Sequence, residues 1–341
     1  MNRLGRRVVV AMLLGVALYG AFVLYRGASS IAASFATYAA WTFAAACGLA
    51  FSNYVLRFLK WEYYLAALDI RGVPKGESFL VFLSGFVLTV TPGKVGEVFK
   101  SLVLHEIRGV PVTRTAPIVV AERLTDLIGV IVMIAVGSLG FHGGLPFAAA
   151  GAAIVLGLLA FVTSRRLSRA VLELLPRLPG ALGRVGHKVA PRVEAALVEL
   201  RVLTSPRRLV LPSLLSIAAW SLEGIALWVI LQGFHQAAPL AITAFFYATA
   251  TLAGALVPVP GGLGVTDGLL EEQMAKVGHV APATATAAML LARFATLWFA
   301  VLVGFVALFL LRLKHPELTR GGETDRALAG GPQIAIDEKT P

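Results

Sequence analysis

Apolar residues in this chain come in long runs, not in the alternation of half-buried strands or the narrow stripe of surface helices. A helix needs about 20 apolar residues to cross the hydrocarbon core of a bilayer. Runs of that order cover Arg7 to Tyr25, Ile31 to Phe58, Ala116 to Leu139, Leu145 to Val162, Leu209 to Leu231 and Thr284 to Leu311. Two more apolar stretches behave differently. Ser78 to Val90, about half the spanning length, runs into Thr-Pro-Gly at 91–93, and Ala241 to Val257 runs into Pro-Val-Pro-Gly-Gly at 258–262. Proline and glycine break helices, so each stretch is expected to enter the membrane and turn back. The pattern predicts an all-α fold, a polytopic transmembrane helical bundle with about six full spans plus two re-entrant helical hairpins.

Between 163 and 208 the pattern changes. Leu167, Val171, Leu174 and Leu175 recur at helical spacing among ten Lys/Arg and three Glu, with Pro176, Pro179 and Pro191 as breaks. That is the pattern of an amphipathic segment on the membrane surface. After Lys314 the chain is polar and Gly-rich, which predicts a disordered tail over 315–341. The expected organisation is a transmembrane domain over 1–314, with one half at 31–162, a second at 209–314 and the basic linker 163–208 between them.

Composition narrows the class. Only 14% of the 341 residues are charged and mean hydropathy is +0.80, against about a quarter charged in soluble domains. A net charge of +11 in a soluble protein would point to nucleic acid. Here the basic residues flank apolar runs, so they are read as orienting the chain and meeting anionic lipid head groups, with no nucleic-acid partner. Cys47 lies inside an apolar run; a single cysteine permits no intramolecular disulfide and no cysteine-based metal site. The histidines at 105, 142, 187, 235, 279 and 315 are scattered, so neither metal nor cofactor is expected. The basic, apolar start lacks a cleavage site followed by a polar mature domain and reads as an uncleaved first span.

Excess Lys/Arg marks cytoplasmic loops. Arg3, Arg6 and Arg7, the 57–75 and 105–114 regions, the 163–208 linker and Arg312 with Lys314 are therefore expected inside, with the nearly uncharged 26–30, 140–144 and 232–239 loops outside. A single path satisfies this if 78–104 re-enters from the cytoplasm and 240–276 from outside. Both termini are then cytoplasmic, in a multi-pass protein of the cytoplasmic (inner) membrane.

The two hairpin tips resemble each other. Pro92-Gly93-Lys94-Val95-Gly96-Glu97 matches Pro260-Gly261-Gly262-Leu263-Gly264, with Asp267 three residues on. Asn53 and Arg57 precede the first tip and Glu223 precedes the second; Arg123 lies 31 positions after Pro92, and Arg293 lies 33 after Pro260. Paired Gly/Pro-interrupted segments in two oppositely oriented halves are the mark of an inverted repeat, with a binding site at the midplane. Non-helical backbone cannot face lipid and survives only around a protein-enclosed or watery cavity. Helices starting after each turn would aim free N–H groups at an anion such as phosphate. Ordinary interhelical turns would instead lie at the membrane surface.

Charges inside a bilayer are costly and are kept when paired or functional. The candidates are Arg57, Lys94, Glu97, Glu122, Arg123, Asp126, Glu223, Asp267 and Arg293. Glu122 and Asp126 share a helix face. Three roles are open to these groups: a network holding the tips, a head-group site with arginine or lysine on phosphate, or snorkelling from the interface, the last weighing most for Arg57 and Glu122.

The segments TPGKVGEVFKSLVL, ERLTD (122–126) and PVPGGLGVTDG, with Asn53, Arg57 and Trp61, resemble the lysylphosphatidylglycerol synthase transmembrane-region family of flippase-like membrane proteins, over about residues 5–315. The resemblance implies a membrane region that handles a modified lipid. In full-length members it precedes a soluble aminoacyl-transferase domain; none is evident in this sequence, so that activity is not carried over and no enzyme is expected. Asp267 stands where the family usually has Glu, one methylene shorter. The expected function is a translocase that binds a phospholipid or lipid-linked phosphate head group between the halves, with a homo-oligomer allowed. No Walker A pattern occurs, which argues against ATP hydrolysis. The alternatives are an intramembrane transferase using Glu122 and Asp126, and a membrane scaffold that binds a partner through 163–208.

Overall fold

The computed structural model describes residues 27–90, 98–138, 164–174, 200–257 and 259–319, with scattered positions at 17–24, 146–161 and 194–198. Among the described residues the chain is helical, with no strand. The runs predicted at 7–25 and 145–162 fall largely outside them, as does the first hairpin tip, with Pro92, Gly93, Lys94, Gly96 and Glu97.

The apolar run predicted as one span at 31–58 is two helices, α1 (Ala28–Ala36) and α2 (Trp41–Ala67). Tertiary contacts hold the break open. Tyr38 packs its ring against Phe234 at a tilt, 4.4 Å between ring centroids, and the Ala39 N–H donates to the Gly233 carbonyl at 3.0 Å. Past Phe58, α2 continues for nine residues and carries Lys60 and Trp61 into the interior. The first hairpin comprises α3 (Lys75–Ser84), a tighter turn at Gly85–Leu88, and α4 (Phe99–Arg108). There follow α5 (Val112–Ser138), α6 (Arg165–Leu174) and α7 (Pro206–Gly233). The second hairpin is α8 (Leu240–Leu256) and α9 (Val265–Lys276). Last come α10 (Pro282–Arg293), a π-helical turn at Phe294–Trp298, and α11 (Phe299–Lys314).

Helix α2, helix α7 and the continuous stretch Pro282–Lys314 are long and apolar enough to cross a membrane. Helix α5 has the length but carries Arg114, Glu122, Arg123 and Asp126. Large apolar side chains stay exposed on the outward faces, among them Val210 and Leu214 on α7 and Leu302, Val306 and Phe309 on α11. In water such a surface would aggregate; in a bilayer it meets acyl chains.

Paired contacts fix helix directions. Between α2 and α7, Ala39 meets Gly233, Asn53 Nδ2 donates to Ala219 O at 2.7 Å, and Lys60 Nζ donates to Ser216 Oγ at 2.7 Å, so the two run antiparallel. Phe58 against Phe82 and Trp61 against Ser78 set α3 antiparallel to α2. Lys60 against Asp126 and the Leu68 carbonyl against Arg114 do the same for α5. In the hairpins, Glu77 faces Arg108 while Gly85 faces Lys100, and Thr249 faces Gln273 while Gly254 faces Thr266. Glu223 with Tyr247 and Gly224 with Ala244 set α8 against α7. Asp267 with Arg293 and Thr286 with Glu271 set α10 against α9.

The tail predicted from 315 begins as folded chain. Pro316–Thr319 forms a turn, Leu318 is buried, and His315 Nε2 lies 3.1 Å from Glu77 Oε2, beside the Arg108 fork on the same carboxylate. The rest of the predicted tail lies outside the described residues.

Close backbone approach is the packing rule here, as small residues replace hydrophobic drive between helices in lipid. A Cβ on Gly137 of α5 would sit 2.8 Å from the Ala241 carbonyl and 2.7 Å from Phe245 Cβ on α8. Gly137→Val is therefore expected to destabilise the detergent-solubilised protein by about 1–3 kcal/mol through overpacking. Gly48→Ala, an exposed mid-helix position where nothing lies within 4 Å, should leave the thermal midpoint unchanged or slightly raised, because alanine favours the helix over glycine; equal melting of the two variants would refute the packing account.

Candidate functional site

Three helices converge on one carboxylate. Asp126 on α5 is buried, and Lys60 on α2 reaches its Oδ1 at 2.5 Å. Ser216 on α7 donates to the same oxygen at 3.0 Å and accepts from Lys60 at 2.7 Å. Arg123 lies 3.3 Å and Arg57 3.8 Å from Oδ2. The helical spacing explains the assembly: residues 53, 57 and 60 share one face of α2, and 122 and 126 share one face of α5. One turn away, Lys100 at the start of α4 meets Glu122 at 2.5 Å, with its ammonium over the rings of Trp61 (4.6 Å) and Phe82 (5.0 Å).

The second half carries its own buried pair. Arg293, at the end of α10, places Nε 2.6 Å from Asp267 Oδ1 and donates through Nη2 to the Gly261 carbonyl at 2.6 Å. Asp267 accepts the Gly264 N–H at 2.8 Å through its other oxygen. Gly261, Gly262 and Gly264 all have positive φ (60°, 70° and 83°), a conformation open to glycine at little cost. Thr266 closes on Gly254, where a Cβ would run into its hydroxyl. The Pro260–Gly264 break is thus a folded tip, held by one arginine and one aspartate.

At the N-terminus of α9 the Asp267 carboxylate accepts the Gly264 cap N–H, so one of the N–H groups expected to face an anion is already taken. The same geometry answers the question of side-chain length: Asp267 is fully buried and reaches both Arg293 and its own cap.

Between these centres lies a cavity of about 90 Å³. Its charged lining is Arg57 from α2, Glu223 from α7 and Arg293 from α10. Tyr247 donates to Glu223 Oε2 at 2.6 Å, and Tyr54 donates to the Thr296 carbonyl at 3.3 Å. Thr296 and Leu297 belong to the π-helical turn, and Gly261 and Gly262 bring in the tip backbone. Thr89, just before the first tip, adds a buried hydroxyl with no hydrogen-bond partner among the described residues.

Of the sites predicted from sequence, the structure brings Arg57, Glu122, Arg123 and Asp126 together in the first half. It gathers Gly261, Gly262, Gly264, Asp267, Arg293 and Glu223 around the second tip and the cavity. Pro260 starts the tip turn. Arg57 and Glu122 both face buried partners, Asp126 and Lys100 respectively. Sequence reasoning misses Lys60 and Lys100 as site residues. Lys60 reads in sequence as a basic residue closing a span, yet it is completely buried; its place on the Asn53–Arg57 face is the available signal. Tyr247 has no sequence signal, since nothing in an apolar run marks which tyrosine meets a carboxylate.

Long apolar helices, charges paired inside the bundle and a glycine-built break define a multi-pass membrane protein with a polar interior. The chain belongs to the family described as the lysylphosphatidylglycerol synthase TM region, whose profile matches residues 8–304. That membership gives it a membrane lipid-related role. No curated protein matches the chain.

Removing one partner of a buried ion pair costs about 3–5 kcal/mol because the other charge is stranded. Asp126→Asn removes the counter-charge shared by Arg57, Lys60 and Arg123, whereas Lys60→Met leaves Asp126 two arginines. Asp126→Asn should therefore lower the thermal midpoint more than Lys60→Met, and the double variant should melt above Asp126→Asn alone. The reverse order would disprove the shared-carboxylate arrangement.

Proposed function

We propose that this chain is a lipid translocase, moving a phospholipid or lipid-linked phosphate head group through the polar cavity while the acyl chains stay in the bilayer. The observation that carries the reading is the cavity itself, where Arg57 and Arg293 come from different halves of the chain and Glu223 lies with them. A guanidinium recognises phosphate through paired hydrogen bonds. The Thr89 hydroxyl is a further group that a polar ligand would satisfy.

An inverted repeat is the second part of the proposal. Helices α2, α3, α4 and α5 alternate in direction, and α7, α8, α9 and α10 alternate in the opposite sense, with α2 antiparallel to α7. Each hairpin is tied to the next helix by one buried pair, Lys100–Glu122 in the first half and Asp267–Arg293 in the second, with the signs exchanged. Two halves of opposite direction around one cavity can expose it alternately to either leaflet by rocking. The basic loops orient both termini to the cytoplasm in this reading.

A transferase reading is less favoured. The acids it would use, Glu122 and Asp126, are each held by a lysine ammonium at 2.5 Å.

The test is movement of a fluorescent phospholipid between leaflets of proteoliposomes. Arg57→Gln and Glu223→Gln each remove a charged group worth about 1.5–3 kcal/mol in its hydrogen bonds, so each should slow movement roughly tenfold to a hundredfold while the protein stays monodisperse. Wild-type rates in both variants would end the proposal.

A further inference from the structure

A second polar recess lies away from the cavity between the halves. It is a surface groove of about 440 Å³ between α6 and the segment leading into α7. Arg165, Arg169 and Arg201 line it, with Glu194 as the one carboxylate among the described lining residues and Ser168 and Leu172 on its floor. Arg201 Nη2 donates to Ser168 Oγ at 2.6 Å, so one guanidinium is already positioned on the floor.

The faces of α6 say what environment the groove meets. Ser168 and Leu172 form the buried edge, and Leu197, Leu200 and Leu203 of the following segment are buried with Leu172 in the same core. On one flank of that edge, at 100° per residue, stand Arg165, Arg169 and Arg166, three arginines to the single carboxylate of Glu173 on the same flank. On the other flank Leu167, Val171 and Leu174 are exposed, 42%, 36% and 57% respectively. A helix docked by one edge, with a cationic flank and an exposed apolar flank, fits only the boundary between head groups and acyl chains. The neighbouring geometry agrees with that depth. The groove's second wall ends where α7, a membrane-spanning helix, begins at Pro206.

We propose that this groove binds the phosphate of an anionic lipid head group, with Arg165, Arg169 and Arg201 as its donors and Leu167, Val171 and Leu174 immersed beside it in the acyl region. Three arginines against one glutamate leave the groove cationic, and the guanidinium fork suits phosphate oxygens. Anionic leaflets attract such clusters. The site stands apart from the cavity between the halves and holds whether or not the chain moves lipid.

The experiment uses the full chain in nanodiscs of phosphatidylcholine alone or with phosphatidylglycerol, followed by amide hydrogen exchange. Protection across Arg165–Leu174 should rise with phosphatidylglycerol and fall again as ionic strength is raised. Each arginine is worth about fivefold in attraction to an anionic surface, so R165Q/R169Q/R201Q should weaken the lipid-dependent protection on the order of a hundredfold. Exchange in α2 and α7 reports whether that variant is folded; if it is not, the salt dependence of the wild-type protein decides. Equal protection in both lipid mixtures, or a wild-type response in the folded variant, overturns the proposal. Soluble glycerol phosphate producing the same protection in phosphatidylcholine would overturn the lipid as ligand.

Discussion

A charge taken out of water must meet its opposite, and in this protein that requirement organises the bundle. Asp126 could not be buried on α5 without Lys60 from α2 and the hydroxyl of Ser216 from α7. Those three helices supply much of the interior, and the carboxylate is the point where they meet. Apolar side chains alone would not specify this arrangement, since leucine packs against lipid about as readily as against another helix. Polar contacts in a bilayer set register and direction because few alternative partners exist there.

The same constraint acts on the backbone at the second tip. Pro260 to Gly264 leaves the helical ladder, and its carbonyls and N–H groups need new partners. Arg293 and Asp267 supply them, one to the Gly261 carbonyl and the other to the Gly264 N–H, and neutralise each other. One N–H of a motif that looks like an anion site in isolation is thereby taken by the protein itself. Beside the tip lies the polar cavity, where Arg57, Glu223 and the π-helical turn converge. A π-helical turn frees backbone geometry locally and often accompanies functional sites; here it brings Thr296 and Leu297 to the cavity wall.

Helical class and family were both legible in the chain. Apolar run length marked α7 and the last membrane helix, because the bilayer imposes a length that sequence must match. PGG-x-G marked the second break, because positive φ at three positions requires glycine. The Glu122 and Asp126 spacing marked a shared face. The motifs in which the family resemblance lay fall within residues 8–304, which the family profile matches.

Tertiary structure decided which charges pair. Lys60 and Arg57 look alike in sequence, as basic residues near the end of a span; burial against α5 and α7 makes Lys60 the closer partner of Asp126 and leaves Arg57 at the cavity. The break between α1 and α2 was equally hidden, since it depends on Gly233 and Phe234, which lie in the other half of the chain. Sequence determines where the chain can lie in a bilayer, through hydropathy and backbone conformation, which are local. Which buried charge answers which depends on distances between helices, and only the folded bundle sets those.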